Sequence, residues 1–239
     1  MQLVIGNKNY SSWSMRAWLL LRAAGIAFEE IRLRMDQFAG DPGAAATDSA
    51  FARRMAGLSP AGRVPVLVDD AGQAVWDTLA IAETVAERHP GHPGHPGLWP
   101  QDAHARARAR SLCAEMHAGF GALRQHCTMN IEFVRPEMGP ELLAAHPALA
   151  RDLQRIDAMW CDALTRSGGP FLFGDWSIAD AFYAPVVSRV RSYGLPLSAP
   201  AADYAARVWA HPAVQDWVAE ALAEHDFLAG EEIYRRQRD

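Results

Sequence analysis

One short stretch sets the terms for everything around it. From His89 to Pro100 the chain reads HPGHPGHPGLWP. Proline and glycine at that density are incompatible with a helix interior or a central strand. The stretch therefore marks a boundary, with residues 1–88 before it and residues 101–239 after it. At 239 residues the chain has room for two domains of ordinary size, roughly 100–150 residues each.

The two sides differ in hydrophobic period. Before the boundary, Gln2–Gly6 is an apolar run of strand type, stopped by the turn residues Gly6-Asn7-Lys8-Asn9. Ser12–Ala24 places Met15, Trp18, Leu19, Leu20 and Ala23 at helical spacing and ends at Gly25. Phe28–Leu33 alternates like a half-buried strand, Asp36–Thr47 is a Gly/Ala/Asp-rich loop, and Phe51–Leu58 has room for one or two helical turns. Val64–Val68 and Gln73–Trp76 are short strands around the turn Asp69-Asp70-Ala71-Gly72. Leu79, Ile81, Ala82 and Val85 then form an apolar helical face running to Arg88. The order is β-α-β-(α)-β-β-α, a mixed sheet with helices on its faces. Beyond residue 100 the pattern is helical throughout. It predicts one long helix from Ala103 to about Glu132, then Pro147–Arg166, Ile178–Tyr193 with a kink at Pro185, Tyr204–Trp209 and Ala213–Ala223.

Charge and cysteine use exclude several functions. A net charge of −5 and a single lysine, Lys8, give no electrostatic footprint for nucleic acid. Ala17–Leu21, the longest apolar run near the start, falls far short of the ~20 residues a membrane span needs. No secretory leader pattern is visible, and a cytoplasmic location is expected. Cys113, Cys127 and Cys161 are odd in number, widely spaced and lack a Cys-x-x-Cys pair. That argues against a disulfide framework and against a dithiol oxidoreductase. Any thiol chemistry must borrow its sulfur from a ligand.

Three places in residues 1–88 suit a small thiol peptide. At Tyr10-Ser11-Ser12-Trp13-Ser14-Met15-Arg16 a strand gives way to a helix. Hydroxyls there lie among unpaired N–H groups at the positive end of the helix dipole, a setting that stabilises a thiolate. One serine also suffices simply to cap the helix. At Arg63-Val64-Pro65-Val66-Leu67, a cis Val64-Pro65 peptide would leave the Val64 N–H and C=O free to pair with a peptide backbone. A proline opening an edge strand is the plainer alternative. At Trp76-Asp77-Thr78 the helix N-terminus can hold a carboxylate, with the Thr78 hydroxyl added and Asp77 accepting from an ammonium. An ordinary Asp cap explains the same residues.

In this order and spacing, Ser11-Ser12, Val64-Pro65 and Asp77-Thr78 resemble the glutathione-binding half of cytosolic glutathione transferases. The later phrase Phe171–Asp180, FLFGDWSIAD, is similar to that family's junction between its fifth and sixth helices. There Ser177 and Asp180 have capping-box spacing and are taken as folding residues. SSWSMRAWLLLRAAGI most resembles the bacterial serine-type members and is nearest the zeta class, except that Trp13 stands where zeta isomerases carry cysteine. The resemblance implies a thioredoxin-like α/β domain over 1–88, a linker over 89–100, and an all-α bundle over 101–239 forming the electrophile pocket. It implies glutathione as co-substrate, a small electrophile as second substrate, no metal, and a homodimer. Ser11 would donate a hydrogen bond to the sulfur, with Ser12 as second choice. Val64 would hold the cysteinyl backbone, and Asp77 and Thr78 the γ-glutamyl end. A glutathione-binding scaffold of the same fold without useful catalysis is the alternative.

Other features have plainer explanations. His89, His92 and His95 would align along one edge of a polyproline II segment, but without Cys or acidic ligands they read as a lengthened linker. Arg106, Arg108 and Arg110 fan over a solvated helix face. Cys113 and Cys127 are expected buried on one side of the long helix, with Met116, His117 and Phe120 close to the electrophile pocket.

Overall fold

A computed structural model of the chain describes residues 1–35, 49–90 and 97–238. The Asp36–Thr47 loop, and with it His92 and His95, lie outside the described residues. The front part contains β1 (Gln2–Ile5), α1 (Ser12–Ala23), β2 (Glu29–Arg32), α2 (Ala50–Ala56), β3 (Val66–Val68), β4 (Ala74–Trp76) and α3 (Thr78–Arg88). The strands form one sheet in the order β2-β1-β3-β4. β1 runs parallel to β2 and antiparallel to β3, and β4 closes the sheet antiparallel to β3. Alternation along β1 serves both faces, as a period of two requires. Leu3 and Ile5 join Leu67 in the main core, while Val4 pairs with Val66 on the other face, with Phe51 and Met55 of α2 and Leu228 from the end of the chain.

The rest is helical: α4 (Ala103–Ala118), α5 (Gly121–His126), α6 (Gly139–Ala145), α7 (Pro147–Ser167), α8 (Ile178–Tyr193), α9 (Ala199–Ala210) and α10 (Pro212–Ala223). α8 lies at the centre, with almost every residue buried, and remains a continuous helix through Pro185. Its start is the expected capping box, with Ser177 N–H donating to Asp180 Oδ2 at 2.9 Å. Asp180 also accepts from Leu172 N–H and the Tyr204 hydroxyl, at 3.1 and 3.0 Å. It is a folding residue that ties α8 to the preceding turn and to α9.

The long helix from Ala103 to Glu132 does not form. α4 ends at Gly119, where a side-chain carbon would stand 2.7 Å from the Glu115 carbonyl oxygen. Phe120 then takes a left-handed φ of 56°, which redirects the chain into α5. Apolar spacing continues across the break, so periodicity did not reveal it. Cys113 and Cys127 are both buried, but on separate elements. The solvated arginines are engaged: Arg110 with Glu83 of α3, Arg108 with Asp162 of α7, and Arg106 with the Pro100 and Gln101 carbonyls. No helix among the described residues is long and apolar enough to cross a membrane.

The two parts meet where α1 packs on α8 and α10. Lys8 pins that junction. Its ammonium is completely buried, donates to Glu30 of β2 at 2.6 Å and to Glu220 of α10, and sits over the rings of Trp18 and Trp217. Its backbone N–H donates to Glu224 at 2.7 Å, and its carbonyl accepts from the Trp217 indole at 3.1 Å. The partner carboxylates keep some access to water and can be rehydrated, which places the cost of losing the pair at the low end of the range for buried ion pairs. Lys8→Ala is expected to cost about 3 kcal/mol in urea unfolding, and Lys8→Met, which keeps the stem volume, less. A change under about 0.5 kcal/mol for Lys8→Ala would contradict this role.

Candidate active site

The turn 7–10 delivers the chain into α1 with Ser11 as its N-cap. The Ser11 hydroxyl oxygen accepts from Ser14 N–H at 3.3 Å and lies 2.8 Å from the Ser14 hydroxyl, to which it donates. Ser14 Oγ also accepts from Gly6 N–H at 3.1 Å. Capping is therefore one job of Ser11. Ser12, at the first helical position, is free of capping duty, and its Oγ accepts from Arg189 of α8 at 3.5 Å. Tyr10 is the other hydroxyl nearby, but it is used elsewhere. Its phenol donates to Glu232 at 2.6 Å, and burial together with that carboxylate raises its pKa far above the usual range. It stays neutral and turned toward the end of the chain.

The Val64-Pro65 peptide is cis. β3 begins only at Val66, and among the described residues neither the N–H nor the C=O of Val64 takes part in a hydrogen bond. Val64 is also close to the α1 entrance. A side-chain carbon on Gly6 would stand 3.2 Å from Val64 Cγ2 and 2.6 Å from Met35 Sδ, so a larger residue here would have to displace the Met35 side chain.

Asp77 caps α3 through Oδ1, which accepts from Leu79 N–H at 2.9 Å. It does so with φ 73° and ψ 131°, outside the left-handed helical basin and unfavourable for a residue with a side chain. Strain of this kind persists where surrounding contacts impose it, often at ligand sites. Asp77 Oδ2 lies 3.3 Å from His117 Nε2 of α4. Thr78 is buried and donates to the Trp13 carbonyl at 3.4 Å, which fastens the start of α3 to the start of α1. Ser11 and Ser12 follow β1, Val64 precedes its antiparallel neighbour β3, and Asp77 and Thr78 follow β4, so all five lie at one end of the sheet, although 66 positions separate Ser12 from Thr78.

Sequence reasoning did not find the cations beside this end of the sheet. The Trp13 ring, half-buried, has the Arg16 guanidinium 4.5 Å and the Arg124 guanidinium 4.6 Å from its centroid, and His117 meets it edge-on at 4.9 Å. Arg16 is fully buried, and none of its three guanidinium nitrogens has a hydrogen-bond partner among the described residues. Burial, then the charges of Arg189 and Arg124, lower its pKa to about 9, leaving it cationic at neutral pH. Arg124 lies on a short helix whose pattern looks like surface, and Arg189 lies in an otherwise apolar run; neither carries a local signal. Of the expected pocket residues, His117 faces this region, while Met116 and Phe120 belong to the core. Burial pushes the Cys127 thiol up to about 12 and Cys113 well above its ordinary value, so neither supplies a thiolate.

The geometry at Asp77 is directly testable. Asp77→Ala keeps the unfavourable backbone but removes the cap, at a cost of about 1 kcal/mol. Asp77→Gly also removes the cap yet relieves the positive φ, and should be the more stable of the two in thermal or urea unfolding. Equal stability of the two variants would show that the backbone here is not strained.

Comparison with known proteins agrees with this architecture. Residues 10–88 match the family model described as the glutathione S-transferase N-terminal domain. Among curated proteins, none matches the chain by sequence. Among solved structures, a glutathione transferase homologue from Burkholderia gl BGR1 with bound glutathione superimposes with a TM-score of 0.65 at 23% identity, over 94% of this chain and 98% of that one. Ure2p in complex with S-hexylglutathione gives 0.64 at 15% identity, over 91% and 98%. A sphingomonad glutathione S-transferase complexed with glutathione gives 0.61 at 20% identity, over 92% and 98%. The chain therefore has the glutathione transferase fold, a thioredoxin-like domain followed by an all-helical one, with residues 10–88 matching the N-terminal domain of that family.

Proposed function

We propose that this chain is a glutathione transferase of the serine type that activates the thiolate of glutathione for attack on a small electrophile. The observation that carries the reading is the Thr78–Trp13 contact. It holds the starts of α1 and α3 together, beside a Val64 backbone whose hydrogen-bonding groups are unused. Two helix N-termini offer N–H groups to two anionic ends of one ligand, the thiolate at α1 and the γ-glutamyl carboxylate at α3. Val64 pairs with the cysteinyl backbone, and Asp77 accepts from the γ-glutamyl ammonium.

Ser11 is the first choice as donor to the sulfur. When glutathione binds, Ser14 Oγ, already accepting from Gly6, turns its hydrogen to Ser11 Oγ, and Ser11 turns its own toward the sulfur. The thiol proton leaves to solvent, the sulfur lone pair attacks the electrophilic carbon, and the leaving group departs with its bonding electrons. Ser11 acts as a hydrogen-bond donor throughout and forms no covalent bond. Each unit of thiol pKa depression is worth about 1.36 kcal/mol. Trp13 occupies the position of the zeta-class cysteine, which favours conjugation or reductive removal of a group over isomerisation. A cytoplasmic location, a detoxifying role and a homodimer belong to the same reading and rest on the resemblance.

Glutathione titration by calorimetry combined with turnover of a panel of electrophiles and peroxides tests the proposal. Ser11→Ala should cut kcat by more than tenfold while glutathione still binds, and Thr78→Val should weaken glutathione binding. Unchanged turnover in Ser11→Ala removes that residue from the mechanism and moves attention to Ser12. Binding of glutathione with no turnover of any compound would favour a scaffold.

A further inference from the structure

The arginines beside Trp13 and Ser12 have no ion-pair partner among the described residues. They are Arg16, Arg124 and Arg189, from α1, α5 and α8. Arg189 spends its donors on the Cys127 carbonyl at 2.8 Å, the Pro185 carbonyl at 3.1 Å and Ser12 Oγ at 3.5 Å, all uncharged. Arg124 donates through both terminal nitrogens to the His117 carbonyl, and its Nε has no partner among the described residues. None of the Arg16 guanidinium nitrogens has a partner among the described residues. The acidic group whose field reaches Arg189 is Glu231, which forms no ion pair with it and whose own pKa is raised by burial. Asp77 faces His117 instead.

Burying a cation without a counter-ion is unfavourable, and three of like sign in mutual repulsion are more so. Such an arrangement makes sense where an anion completes it. The three are placed in depth: Arg16 and Arg189 are buried, whereas Arg124 and the Trp13 ring are only partly covered. Arg124 is therefore the group an incoming ligand meets, with the other two supplying positive potential from behind. A guanidinium fork matches the two oxygens of a carboxylate, and the adjoining Trp13 face suits an apolar body.

We propose that Arg124, backed by Arg16 and Arg189, recognises a carboxylate on the second substrate, so that the preferred electrophiles are small apolar carboxylic acids. The carboxylate site itself stands on the arginines; that its occupant is an electrophile rests on the transferase reading above.

The test is calorimetric binding of two unreactive probes, 4-methylbenzoate and 4-methylbenzamide, to the glutathione-loaded protein. The carboxylate should bind at least tenfold more tightly, and its affinity should fall as salt rises. Arg124→Gln, at a partly exposed position, should reduce the preference to under twofold without altering glutathione affinity. Arg16→Gln should reduce it as well, provided that variant folds. Equal binding of the two probes by the wild type would overturn the proposal. So would a preference seen only without glutathione, which would mean that the cations serve the thiolate. A preference that persists in a protein showing no affinity for glutathione would support the carboxylate site and sink the transferase reading instead.

Discussion

The ammonium of Lys8 is the contact on which the geometry of this molecule turns. It leaves the turn after β1 and ends between two tryptophans, bonded to a carboxylate of the sheet and another of α10. Ion pairing of a fully buried lysine requires both partners in place, so the pair forms only when the helical bundle is seated on the sheet. Neighbouring residues strengthen the seat. The Asn9 carbonyl accepts from Ile131 N–H at 3.2 Å, its side chain accepts from Glu132 N–H at 2.9 Å, and Tyr10 reaches Glu232. Three residues on, Ser11 and Ser12 begin α1. The helical domain thus fixes the position of the helix start that carries the candidate chemistry, and it also supplies Arg124 and Arg189 beside it.

Much of the fold was legible because its signals are local. The alternating strands, the apolar faces of α1 and α3 and the capping box at Ser177 and Asp180 each lie within a dozen residues. Of the two readings of Val64-Pro65 that the sequence leaves open, the cis peptide is the one present. The break after Ala118 was missed because a single left-handed residue, Phe120, ends α4 without disturbing the apolar period. α6 was missed because one turn or two behind Gly139-Pro140 produces little periodicity.

The candidate site divides the same way. Ser11, Asp77 and Thr78 stand at helix starts, where hydroxyls and carboxylates announce themselves, and the structure confirms the caps at Ser11 and Asp77. The arginines and Lys8 carry no such mark. A lone lysine in an Asn-rich turn looks solvated, and an arginine on a helix looks like surface. Their burial follows from packing between domains, which one-dimensional periodicity does not contain.

The central claim is that the start of α1 stabilises glutathione as a thiolate through Ser11. An ultraviolet difference titration of bound glutathione across pH measures it directly, with Ser11→Ala as the comparison. The account predicts a saturable thiolate band whose midpoint lies well below that of free glutathione and shifts back toward it in the variant. A bound glutathione that titrates like the free thiol, or a lowered midpoint unaffected by Ser11→Ala, would contradict it.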